Sequence, residues 1–252
     1  MIIPTILKLL VLSPIFSIFP IELEQSKAIQ AIFSVIIILF TYKYFFKWLD
    51  QRYISEISSE GMLRELINGF SLGFIMIGVI IAILSISGYY TGGWVNPPYS
   101  TLKPFLIFSV MGVLEEVIFR GILYRITEKH LGTIWALIIS SLIFGFVHMS
   151  NENFNSFSGI AIALELGLLT GIAFTLSGRL WLPIAIHVGW NYSLIFFGAI
   201  VSGASEYDLI IESEISGPVW ATGGAFGPEN SLITIGVSLL VFAGLYIKPR
   251  DF

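Results

Sequence analysis

PFLIFSVMGVLEEVIFRGILYR, the stretch Pro104–Arg125, decides how this chain is read. Its length and apolar content are those of a segment that crosses a bilayer, since about 20 residues rising about 1.5 Å each span roughly 30 Å of hydrocarbon. Yet Glu115, Glu116 and Arg120 stand inside it, where each ionised side chain costs about 2.5–3.5 kcal/mol on insertion scales. On a helix, residues four apart share a face, so Glu116 and Arg120 can form a structural ion pair, whereas Glu115 is turned about 100° away and is left free. A free carboxylate inside a membrane helix is a candidate general base. The bland reading is that all three charges hold helices together.

The rest of the chain matches this stretch. Its 252 residues are 56% hydrophobic and 12% charged, with a mean hydropathy of +0.87, whereas a soluble domain carries about a quarter charged residues. Further apolar stretches run over Ala28–Phe46, Leu66–Tyr90, Leu131–His148, Gly159–Ser177, Leu180–Gly203 and Ser231–Ile247, and Ile2–Pro20 is read as a retained span without a signal-peptide cleavage site. These predict an all-α, polytopic transmembrane helix bundle of about eight spans, multi-pass in the cell membrane, with the lipid bilayer as its partner. A net charge of −4 with no basic run excludes nucleic acid as a partner. No cysteine is present, so catalysis must use carboxylates, histidines, hydroxyls or amides.

Basic residues set the orientation, because Lys and Arg in short loops stay cytoplasmic. Lys43, Lys47, Arg52, Arg64, Arg125, Lys129, Arg179, Lys248 and Arg250 stand at alternate span ends, and only Lys27 and Lys103 at the opposite ends. Both termini are thus expected in the cytoplasm, with Ala204–Asn230 as an extracytoplasmic loop. Lys47–Glu65 mixes charged and apolar residues and predicts an interfacial amphipathic helix.

Three more polar positions interrupt apolar helices. Phe144 lies one turn before His148, which either stands at a watered helix end or takes part in chemistry, with Phe144 as an accessory buttress. His187 and Asn191, four residues apart, address one point in the bundle, either as a hydrogen-bonding pair between helices or as a site. Glu165 is a carboxylate that either lines a cavity or snorkels to the surface. His130, between Lys129 and Gly132, fits a capped helix C-terminus, and Gly167 and Gly171 form a small-xxx-small packing face.

Together, Glu115-Glu116-x-x-x-Arg120, Phe144-x-x-x-His148 and Trp181-x-Pro183-x-x-x-His187-x-x-x-Asn191 resemble the signatures of the CAAX-processing and bacteriocin-immunity (CPBP, or Abi) family of intramembrane proteases, to which the type II CAAX prenyl protease belongs. The resemblance covers about Lys103–Gly203. It implies a catalytic core over residues 103–203, preceded by N-terminal spans and the interfacial helix (1–102) and followed by the extracytoplasmic loop and last span (204–252). It further implies that Glu115 and His148 activate water for attack on a peptide or protein substrate, while His187 and Asn191 stabilise the oxyanion. No cofactor is favoured. Zinc is the possible one, with Glu115, His148 and His187 as its ligand set. A proton-coupled secondary transporter and a non-proteolytic immunity or scaffold protein are the rival readings. Straight helices set a geometric difficulty: rises counted from the cytoplasmic turns place Glu115, His148, His187 and Asn191 at about 20, 27, 12 and 18 Å, so a tilt, a re-entrant segment or a break near Gly145 has to bring them together.

Overall fold

A computed structural model describes residues 24–97, 102–204 and 210–247. The stretch Ile2–Pro20 lies outside the described residues. Helix α1 spans Glu24–Asp50 and α2 Met62–Ile86. Helix α3, Leu102–Glu116, runs through a π-helical stretch, Val117–Tyr124, into α4, Arg125–Leu131. Helix α5, Thr133–Phe146, passes into a 3-10 turn, Val147–Ser150. Helix α6, Ser156–Ile162, a second π stretch, Ala163–Gly167, and α7, Leu168–Ser177, follow in one rod. Helix α8 is Trp181–Phe196, α9 Val219–Thr222 and α10 Leu232–Ile247.

The protein is thus an α-helical membrane bundle. The rods Ile29–Asp50, Met62–Ile86, Thr133–Ser150 and Ser156–Ser177 are long and apolar enough to cross a membrane, and α10 is a shorter apolar helix. The terminations follow local chemistry. Gly132, at φ 83°, ends α4 with its N–H on the Glu128 carbonyl, as the Lys129-His130-x-Gly132 pattern predicts. Asn155 caps α6, its side chain accepting from the backbone of Phe157 and Ser158.

Three details depart from the sequence reading. The expected interfacial helix over Lys47–Glu65 does not form: α1 continues to Asp50, Gln51 and Gly61 take φ of 51° and 66°, and only a 3-10 turn at Ser55–Ile57 lies between. Arg52 turns back there to grip Glu56 through two nitrogens, at 2.6 and 3.0 Å. The span expected to reach Gly203 stops at Phe196, because left-handed backbone at Gly198, Ser202 and Gly203 folds the chain into a loop. The chain between spans also contributes a strand, β1 (Tyr90–Trp94), paired antiparallel with β2 (Ile211–Ile215) from Tyr90↔Ile215 to Trp94↔Ile211.

The connections gather at two poles. At one, Arg125 pairs with Asp50 at 2.8 Å, Arg179 with Glu65 at 2.9 Å, and the Trp181 indole donates to the Ser58 carbonyl. At the other, the Tyr90 hydroxyl donates to the Phe197 carbonyl, Asn151 to Ser202 and Asn153 to Ala225. Arg125 and Arg179 thus meet their acidic partners at the first pole, and the small sheet lies at the second.

Close helix contacts rest on residues without side chains. A Cβ at Gly73 of α2 would land on the Ile186 carbonyl oxygen and 2.7 Å from the Trp190 nitrogen, both of α8, while one at Gly189 would meet the Phe70 backbone. Small residues on both helices thus let the two backbones touch. Gly73→Ala should therefore push α2 away from the helix that carries His187 and Asn191, at about 1–3 kcal/mol of overpacking, read as an earlier thermal unfolding in detergent. Gly167 and Gly171 do the same against α5, where added Cβ atoms would come within 3.0 Å of Ser141 and 2.9 Å of Leu137. Gly145 is a contact point rather than a break: α5 continues through it, pressed on the Gly159 carbonyl.

Candidate active site

Each motif helix is shaped where its polar residues emerge. The π stretch begins immediately after Glu116, and its wide turns move carbonyls out of the i→i+4 ladder. Side chains take them up: the Gly121 carbonyl accepts from the Tyr42 hydroxyl and Arg125 Nε, each at 3.1 Å. The second π stretch offers the Gly167 carbonyl, which accepts from Arg120 Nη2 at 2.8 Å. Arg120 therefore ties one distorted helix to the other. Its Nη1 donates to Glu116 Oε1 at 3.0 Å, and its guanidinium lies 4.6 Å from the centre of the Phe144 ring. Glu116 and Arg120 are both fully buried.

Glu116 has a second partner that sequence spacing did not indicate. His187 Nδ1 lies 2.9 Å from the same Oε1 atom, so the carboxylate joins α3 to α8 as well as holding Arg120. His187 Nε2 lies 3.9 Å from Glu115 Oε2. The helix rotation that separates Glu115 from Glu116 thus places one carboxylate on each nitrogen side of His187. In the 3-10 turn after α5, His148 Nδ1 donates to the Phe144 carbonyl at 2.9 Å, which leaves the lone pair of a neutral ring on Nε2. The buried Phe144 ring stands edge-on between the two imidazoles, 5.3 Å from His148 and 5.7 Å from His187.

Glu115, His148, His187 and Asn191 line one cavity of about 740 Å3. Its walls are mainly apolar, with Ile107, Phe108, Met111, Phe119 and Phe146 among them, and it extends to Glu152, Glu229 and Ser202–Ala204 at the second pole. All four motif residues meet at this cavity, with a π stretch beginning two residues after Glu115 and a 3-10 turn carrying His148. Glu165 is buried, but neither snorkels nor lines this cavity, although its neighbour Leu166 does. Both of its carboxylate oxygens lack a hydrogen-bond partner.

Among the described residues no group of three His, Cys, Asp or Glu side chains is placed to hold a metal ion, so Glu115, His148 and His187 do not stand as a zinc ligand set in this geometry. Sequence reasoning missed Glu229. It is buried, lines the cavity and accepts from the Trp190 indole at 2.9 Å. Its setting, Gly227-Pro228-Glu229-Asn230 before an apolar run, reads as an ordinary turn, and nothing in it signals burial.

The profile of the Rce1-like type II CAAX prenyl endopeptidases matches residues 97–193. The chain is 29% identical over 87 residues to the putative membrane peptidase YdiL of Bacillus subtilis, covering 34% of this chain and 33% of that protein. It is 28% identical over 144 residues to the membrane-embedded CAAX protease MroQ of Staphylococcus aureus, covering 51% and 55%. A 24.3 kDa uncharacterized protein of Escherichia coli is 30% identical over 103 residues, covering 40% and 46%. The matches thus span from a third to just over half of these relatives' lengths. No solved structure matches the chain. All three motifs lie inside the stretch, residues 97–193, that matches the Rce1-like profile, so this part of the chain is similar to the CAAX-protease-like membrane proteins.

Proposed function

We propose that the protein is an intramembrane endopeptidase that hydrolyses a peptide bond in a membrane-associated peptide or protein by activating water. One observation carries this reading: a carboxylate, two imidazoles and an amide, brought from three separate helices, line one largely apolar cavity inside the bundle. A packing role for these groups does not require them to share a cavity.

In this reading a water molecule sits between Glu115 and His148 Nε2. Glu115 takes its proton as the hydroxyl attacks the substrate carbonyl, and later gives that proton to the leaving amine; His148 accepts a hydrogen bond from the water and orients it. The carbonyl oxygen, now an oxyanion, is held by the Asn191 amide and the His187 ring, which Glu116 fixes through Nδ1, in a buried site with largely apolar walls. Donors aimed at the oxyanion in such a site are each worth about 2.7–4 kcal/mol. The apolar walls suit a substrate whose residues beside the scissile bond are apolar.

The test is cleavage of a pool of apolar peptides, labelled at both ends, by the purified protein in detergent. Asn191→Ala should retain the fold and residual turnover, with kcat down about 10²–10³-fold. A protein that cleaves nothing in the pool, or an Asn191→Ala variant as fast as the parent, would count against the assignment.

A further inference from the structure

The cavity has a second polar wall that the proposed chemistry does not use. Glu229, in the 3-10 turn Pro228–Asn230, is 2% exposed. One of its oxygens accepts from Trp190 Nε1 at 2.9 Å, and the other from the backbone nitrogen of Ser202 at 2.5 Å and the Ser202 hydroxyl at 3.0 Å. The Ser202 carbonyl in turn accepts from Asn151 Nδ2 at 2.8 Å, and the Asn151 backbone nitrogen donates to the His148 carbonyl at 2.8 Å. This chain of bonds begins on α8 one residue before Asn191 and ends on the turn that carries His148. It joins the two sides of the cavity through residues that also line it, Asn151, Ser202 and Glu229.

Two features mark this connection as a built device. Ser202 has φ 47°, a left-handed conformation that residues other than glycine adopt only when their surroundings hold them there. The paired donors of its backbone and hydroxyl on one buried carboxylate supply that hold. A carboxylate beside buried Trp190 is also costly unless its oxygens are satisfied, and here both are.

We propose that Glu229 is a positioning residue. Through the strap Trp190–Glu229–Ser202–Asn151 it sets the separation of His148 from Asn191 and closes the cavity wall at Val201–Ala204. The proposal rests on the peptidase reading for its catalytic consequence, but not for the strap itself.

The experiment combines kinetics with a readout independent of activity. Glu229→Gln replaces one acceptor oxygen by a donor amide, and Trp190→Phe removes the indole N–H while keeping an aromatic ring. Each should lower kcat by about 10–100-fold with little change in KM, as expected for a displaced catalytic pair. The chain has no cysteine, so Val201→Cys, at a position 3% exposed in the wall, supplies a single thiol for maleimide labelling. Labelling should be slow in that background and about tenfold faster once Glu229→Gln or Trp190→Phe is added, because the wall then opens locally. Trp190→Phe keeps the test decisive if Glu229→Gln does not fold. Unchanged kcat and unchanged labelling would overturn the proposal, as would lost turnover with unchanged labelling. Faster labelling in a protein whose parent cleaves no peptide would refute the peptidase reading and leave the strap standing.

Discussion

Glu115→Gln should leave the bundle folded, able to hold substrate, and without peptidase turnover. The amide keeps the shape of the carboxylate but cannot take a proton from water, and a positioned general base contributes about 10²–10⁴-fold. Glu115 is suited to this test because its Oε2 has no hydrogen-bond partner and stands 3.9 Å from His187 Nε2. Thermal unfolding in detergent should therefore match the parent while cleavage is lost. A variant that unfolds early would make Glu115 a structural charge, and one that still cleaves at the parental rate would remove it from the chemistry.

Arg120→Ala should act on the fold. Arg120 is fully buried and bonds to Glu116, to the Gly167 carbonyl and to the face of Phe144. Removing it leaves the Glu116 carboxylate without its cation and frees the link between the two π stretches. Breaking a buried pair by deleting one partner costs about 3–5 kcal/mol, so the amount of folded protein and its thermal stability should both fall. Arg120→Lys should rescue little, since a single ammonium cannot reach Glu116 and Gly167 with the fork of a guanidinium. Unfolding at the parental temperature with turnover abolished would instead assign Arg120 to the reaction.

The sequence makes the bundle legible because hydropathy is a local property. Each apolar run past Ala28 became a helix over most of its length, and the Gly132 cap and the glycine faces at Gly167 and Gly171 follow from residues within one or two turns. The i,i+4 rule likewise pairs Glu116 with Arg120 and puts His187 and Asn191 on one face. Other features depend on contacts between distant segments. His187 meets Glu116 across 71 residues and Arg120 meets Gly167 across 47, and no pattern within one helix encodes either. The π stretches have no sequence signal that separates them from ordinary apolar helix. Glu229 stayed hidden for the same reason: an acidic residue in a turn reads as solvated until Trp190 and Ser202 are seen to enclose it.

The most direct measurement is cleavage carried out in oxygen-18 water, with the new C-termini read by mass spectrometry. If Glu115 and His148 deliver water to a carbonyl held by His187 and Asn191, the parent should place one heavy oxygen in each new carboxylate, and Glu115→Gln should yield no such termini. Labelled termini formed equally by the parent and by Glu115→Gln would contradict the account.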